Sequence, residues 1–127
     1  MSRIMLAIKK ILADADSIPT LIFDEIDMGI GGGTALKIGL KLHFISSGHQ
    51  VICVTHLAQI ASMADSHYYI SKIESGNRTV TVVNKLEGED IVREIARLMG
   101  GSDETEISMS HSREILKKAE GLKLQNG

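Results

Sequence analysis

Two short apolar runs, Thr20-Leu21-Ile22-Phe23 and Val51-Ile52-Cys53-Val54, constrain this chain more than any other feature, because each stops at polar side chains suited to chemistry. The first ends at Asp24-Glu25 and the second at Thr55-His56. A continuous apolar run of this length suits a strand buried on both faces, as in parallel sheets. Between the runs come the glycine loop Gly29-Ile30-Gly31-Gly32-Gly33 and then Leu36, Ile38, Leu40, Leu42 and Ile45, whose spacing predicts a helix from Thr34 to about Ser46. Leu57, Ile60, Ala61 and Met63 predict a second, short helix after His56. Strand, helix, strand, helix implies right-handed crossovers and an α/β fold with a parallel sheet.

The flanks follow the same logic. Ile4, Met5, Ala7, Ile8, Ile11 and Leu12 recur at helical spacing from Ser2 to Ala15, and Ser17-Ile18-Pro19 ends that helix. Ser2 is a suitable N-cap with only Met1 ahead of it, so the chain reads as truncated there. Past the second short helix the period changes to two. The runs His67 to Ile73 and Thr79 to Leu86, either side of Glu74-Ser75-Gly76-Asn77-Arg78, predict an antiparallel hairpin at the sheet edge. A helix from about Glu89 to Met99 is closed by Gly100 and Gly101, and Ile107, Ile115, Leu116 and Leu122 mark a last amphipathic stretch. The tail after Ser102 reads as a mobile terminal helix. The whole of 1–127 is taken as one unit, a length that can bury a real core.

Composition removes several classes of function. With 43% apolar and 24% charged residues the chain is expected to fold, and no apolar run reaches the ~20 residues of a membrane helix. The cytoplasm is the default compartment. A net charge of −2, with both signs mixed along the chain, lacks the basic footprint of an autonomous nucleic-acid binder, and two Phe, two Tyr and no Trp leave few stacking platforms. Cys53, the one cysteine, sits in an apolar run and reads as a small core residue. His43, His49, His67 and His111 show no paired metal-ligand spacing, which argues against a zinc site.

Asp24 and Glu25 fall at the carboxyl end of a predicted parallel strand, the edge where open α/β sheets bind ligands. Alone, the pair reads first as a solvated strand end. As chemistry, one carboxylate can hold a magnesium ion through its water shell while its neighbour polarises a water for attack on a γ-phosphate. Thr55-His56 at the end of the next strand would bring an imidazole to the same edge, where it can donate to the γ-phosphate. The glycine loop could instead cradle phosphate by itself, but it is separated from its strand by Asp24 to Met28 and lacks the third glycine of a dinucleotide fingerprint. No G-x-x-x-x-G-K-[ST] occurs, so a complete nucleotide pocket is not encoded.

Leu21-Ile22-Phe23-Asp24-Glu25 resembles the Walker B strand of the ABC ATPase family, and Val54-Thr55-His56 its switch histidine. More narrowly, Ser2-Arg3-Ile4-Met5-Leu6-Ala7, Asp24-Glu25-Ile26-Asp27-x-Gly29-Ile30 and Thr55-His56-Leu57-x-Gln59-Ile60-Ala61 resemble the RecN family, SMC-like bacterial proteins of double-strand-break repair. The ending Arg93-Glu94-Ile95-Ala96-Arg97, with Met99-Gly100-Gly101, is similar to that family's and is not a general ABC feature; the likeness is expected from Ser2 to about Gly101. The resemblance implies a partial P-loop NTPase sheet of ABC type. In it Asp24 would support Mg²⁺, Glu25 would activate water, His56 would sense the γ-phosphate, and Asp27, Gly29, Ile30 and Gly31 would belong to a D-loop facing a second head. It also implies that ATP is sandwiched between two heads, that the N-terminal part of the same head supplies the Walker A and signature loops, that DNA is met through the larger protein at the nucleoid, and that this chain alone does not hydrolyse ATP. The D-loop departs from the family where Gly31 replaces a common serine and Gly33 a larger residue, which loosens the loop. Two other readings stay open: a non-catalytic binding module with an ABC-like sheet, and the head of another SMC or Rad50-type protein.

Overall fold

The structure, a computed structural model, describes residues 19–24, 26, 29–100 and 105–126. The helix expected over Ser2 to Ala15 lies outside the described residues. The order is β1 (Thr20–Asp24), α1 (Gly32–Ile45), β2 (Gln50–Val54), α2 (Ala58–Ala61), β3 (His67–Ser75), β4 (Arg78–Leu86), α3 (Glu89–Leu98) and α4 (Glu106–Asn126).

β1 and β2 pair in parallel, from Thr20 opposite Gln50 to Asp24 opposite Val54, and the Gln50 amide donates to the Pro19 carbonyl at 2.8 Å just ahead of the ladder. The expected strand-helix-strand unit is therefore present, with α1 as the crossover. On α1 the buried residues are Ala35, Ile38, Gly39, Leu42 and Ile45, a three-and-four spacing that lines one face. That face meets Leu21 and Phe23 of β1 and Ile60 of α2 in one core, with Ile26, Ile30, Val51, Cys53 and Leu57 packed partly against it. Cys53 thus behaves as the small core residue its sequence context suggests.

Burial on both faces of the strands does not hold. Leu21 and Phe23 turn inward, whereas Ile22 is 69% exposed and Ile52 and Val54 are 45% and 42% exposed. α1 covers one face, and side chains alternate across a strand. The apolar run therefore reflects two faces of different fate.

The hairpin forms as expected but not at the edge of the parallel sheet: among the described residues β3 and β4 make a two-stranded sheet of their own, in register from His67 opposite Leu86 to Ser75 opposite Arg78. The ladder leaves only Gly76-Asn77 as the loop, shorter than the sequence suggests. A two-residue loop needs a turn whose twist matches the strands, and Gly76 supplies its positive φ of 64°. The hairpin leans on α3, where the Arg97 guanidinium stands 5.4 Å from the centre of the Tyr69 ring.

α3 carries Glu89 and Asp90 in its first turn and Arg97 in its last, as the helix dipole favours, and stops at Met99, with Gly100 at a φ of 93°. α4 is docked along its length, which corrects the reading of the tail as mobile. Its start is fixed by reciprocal bonds: the Ser108 amide donates to Thr105 Oγ1 and the Thr105 amide to Ser108 Oγ, both at 3.1 Å. Ser112, fully buried, donates to the Val92 carbonyl of α3 at 2.7 Å, and Arg113 pairs with Glu89 at 2.9 Å. Near the far end Ala119 is buried, and Lys123 Nζ reaches the Ala64 carbonyl at 3.2 Å. The sequence shows the apolar positions of this helix but not the polar contacts that anchor it.

Candidate functional site at the carboxyl ends of the parallel strands

Asp24 closes β1 and pairs in register with Val54, so the chain leaves both strands at the same edge, with Thr55 and His56 next after Val54. Neighbouring strands lie about 4.8 Å apart, so Asp24 and His56 share one edge of the sheet, His56 two residues past the position opposite Asp24. Both Asp24 and His56 are exposed. Glu25 and Asp27 lie outside the described residues.

The chain past β2 is shaped by a local bond. Thr55 Oγ1 accepts from the Leu57 amide at 3.1 Å, a side chain closing on the backbone two residues ahead. This turn places His56 in the short connection to α2 while Leu57 returns to the core. On the other side Ile26 packs against the core, Gly29 takes a φ of 73°, and Ile30 also packs inward. Gly31 is extended and precedes α1, its carbonyl accepting from the Ala35 amide at 2.9 Å without any side-chain cap. The glycine loop and the His56 connection thus rest on one core, through Ile30 and Leu57.

Among the described residues there is no group of three or more His, Cys, Asp or Glu able to hold a metal ion as a cage. Magnesium at a phosphate site does not need one, since one or two carboxylates with water and substrate oxygens suffice, and an exposed Asp24 at a strand end is a donor of that kind. No described helix is long and apolar enough to cross a membrane.

Two positions near this edge escape the motif reading. Gly39 lies inside α1 where a Cβ would meet Met63 Cγ at 2.9 Å and the Gln59 carbonyl oxygen and Ile60 Cα at 3.3 Å, so α2 lies against the helix backbone. Gln59 extends the contact, its Nε2 standing 3.5 Å from where a Cβ on Gly32 would be. A lone glycine inside a helical pattern was the available signal for the first.

No family model matches the chain. Curated relatives do. It is 46% identical over 122 residues to the DNA repair protein RecN of Halalkalibacterium halodurans, covering 96% of this chain and 22% of that protein. To RecN of Bacillus subtilis it is 43% identical over 97% of this chain and 21% of the relative, and to RecN of Treponema pallidum 44% over 92% and 20%. The chain therefore spans about a fifth of the length of the relatives it matches. A match over 122 of 127 residues includes most of the tail after Ser102, where no specific likeness was expected. Among solved structures, one from work on ATP-driven dimerization and DNA-stimulated activation of SMC ATPases superposes with a TM-score of 0.60 at 19% identity, covering 81% of this chain and 64% of that one. At that identity the likeness concerns the fold alone. By sequence along nearly its whole length, the chain belongs with the RecN DNA repair proteins, as the counterpart of their C-terminal part.

Proposed function

We propose that this chain is the Walker B, D-loop and switch-histidine portion of an ATP-hydrolysing head that acts in recombinational repair of DNA double-strand breaks. The observation that carries the proposal is the register Asp24 opposite Val54, which sets Asp24 and Thr55-His56 at the ends of adjacent parallel strands. Asp24 would hold Mg²⁺, which when bound neutralises charge between the β- and γ-phosphates of ATP. Glu25, the next residue, would orient and polarise the attacking water. His56 would donate a hydrogen bond to the γ-phosphate, a role supported by its exposure on a short connection at that edge. Asp27, Gly29, Ile30 and Gly31 would face a second head across the nucleotide.

The same reading assigns the phosphate-cradling loop and the signature loop to the N-terminal part of the head, makes DNA a partner of the larger protein in the cytoplasm, at the nucleoid, and leaves the chain alone without ATPase activity. The test is steady-state ATP hydrolysis by a RecN protein carrying this chain in place of its own C-terminal part, with and without Glu25→Gln. Turnover is expected to fall by about 10² or more while ATP binding persists, because the base is lost and the metal carboxylate stays. Unchanged turnover would leave Asp24 and Glu25 as a solvated strand end, and the non-catalytic binding module would then be the better account.

A further inference from the structure

The glycine loop before α1 and the connection bearing His56 come from different strands, and they meet again through Gln59. Gly32 and Gly39 are seven residues apart on α1, two turns, and so lie on one face. Along that face the Gln59 carbonyl approaches the Gly39 position at 3.3 Å, while the Gln59 carboxamide reaches the Gly32 position at 3.5 Å. Gln59 thus runs along α1 from its middle to its first turn. At that turn the helix begins without a side-chain cap. Its first intrahelical bond is from the Ala35 amide to Gly31, so the amides of Gly32, Gly33 and Thr34 have no partner within the helix. An acceptor there is favoured both by those donors and by the positive end of the helix dipole. A half-turn of the Gln59 carboxamide would exchange Nε2 for Oε1 at the same place, and the first-turn donors would favour that orientation.

We propose that Gln59 is a positioning residue: it caps the first turn of α1 from the neighbouring helix and so holds the glycine loop and the His56 connection in one fixed relation. α2 spans only Ala58–Ala61, far too short to hold its own place, so the contact with α1 sets where the chain after His56 goes. Gln59 itself touches no reacting group in this scheme. Its consequence for ATP rests on the head reading above: pressure from a second head on Gly29 to Gly31 would shift His56 through the cap, and a shift of His56 would be felt in the loop.

The experiment needs no nucleotide, so its failure is separate from failure of the ATPase reading. In the full chain, amide hydrogen exchange and the His56 ring resonances are followed by NMR for wild type, Gln59→Leu and Gln59→Glu. Leucine keeps the volume and removes the acceptor, whereas glutamate keeps an acceptor and suits a helix N-terminus. Gln59→Leu is expected to raise exchange at Gly33 and Thr34 roughly tenfold, the size of a lost cap, and to move the His56 ring signals. Gln59→Glu is expected to stay near wild type at both places. The β3–β4 amides serve as the control for general loosening and should not change in either variant. The proposal is overturned if Gln59→Leu leaves the first-turn amides and His56 as they were, if glutamate behaves as leucine does, or if the hairpin amides loosen by the same factor.

Discussion

Gly39→Ala sets two effects of opposite sign against each other, and the structure decides which prevails. In a helix interior, alanine is better than glycine by about 0.8–1 kcal/mol because it restricts the unfolded chain. At position 39 the new methyl group would lie 2.9 Å from Met63 Cγ and 3.3 Å from both the Gln59 carbonyl oxygen and Ile60 Cα. Met63 can turn aside, although at 3% exposure it has little room, whereas the other two are backbone atoms and yield only if α2 moves. Overpacking of this kind costs about 1–3 kcal/mol, so the net change is a loss of up to about 2 kcal/mol. Gly121, inside α4, provides the comparison, because a Cβ there meets nothing within 4 Å. Gly121→Ala should stabilise by up to about 1 kcal/mol. Subtracting the two variants removes the helix-propensity gain common to both and isolates the packing cost, about 1–3 kcal/mol. Urea unfolding followed by far-ultraviolet circular dichroism measures the difference directly, provided the slopes agree. If Gly39→Ala proves as stable as Gly121→Ala, the close approach of α2 to α1 is not what positions it.

Three further outcomes follow from other contacts. Phe23→Ala should cost about 3–5 kcal/mol in the same unfolding assay and Ile22→Ala no more than about 0.5 kcal/mol, because Phe23 is 5% exposed and Ile22 69%; equal losses would mean that both faces of the strand are covered. Ser112→Ala removes the bond to the Val92 carbonyl and should destabilise by about 1 kcal/mol, with exchange rising first along α4; no change would remove the anchor from that helix. Burial, and next the Lys123 ammonium, hold the His67 imidazole below its ordinary value of 6.5, against a backbone hydrogen bond at Ala64 and the Asp65 charge that raise it. Lys123→Met should therefore move the His67 titration upward in an NMR pH series without bringing it to the ordinary value, since the larger cause remains. A folded-state value below the unfolded one means the unfolded chain binds more protons, so the His67 contribution is whole above pH 6.5 and is lost as pH falls through the folded value. A His67 titration unmoved by Lys123→Met would show that the two charges do not interact.

What could be read in the sequence, and what could not, divides along the range of the interactions. The β1-α1-β2 unit was legible because Leu21, Phe23, Ile38, Leu42 and Ile45 carry their periodicity locally, and so was the meeting of Asp24 with Thr55-His56 at one edge, since a right-handed crossover between parallel strands allows little else. The double burial of β1 and β2 was not, because an apolar side chain has the same letter whether a helix covers it or not: Ile22 and Phe23 are neighbours with opposite fates. Attachment of the hairpin to the parallel sheet failed for a related reason. Period-two alternation specifies a half-covered strand but not which strand it pairs with, and β3 and β4 pair only with each other among the described residues. The docking of α4 depends on Ser112, Arg113 and Lys123, polar residues whose partners Val92, Glu89 and Ala64 are about 20 to 60 positions away. Thr105-x-x-Ser108 was a visible capping signal, with serine in the place of the usual Glu or Gln.

The docking of α4 changes how the site is held together. α2 has four residues, and a helix that short has no stability of its own; its location is whatever its neighbours impose. On one side α1 imposes it through the missing side chain at Gly39. On the other, Lys123 of α4 holds the Ala64 carbonyl just past α2 and pairs with Asp65 at 3.4 Å. The Lys123 side chain is only 8% exposed, so its ammonium is worth keeping there only while those oxygens face it; withdrawing them would leave a buried charge without compensation. The segment after His56 is thus clamped between the helix that precedes β2 and the helix that ends the described chain. A tail that was free to move could not do this. α4 is itself fastened to α3 through Ser112 and Arg113, so one continuous set of packed helices joins α3 to the segment that follows His56.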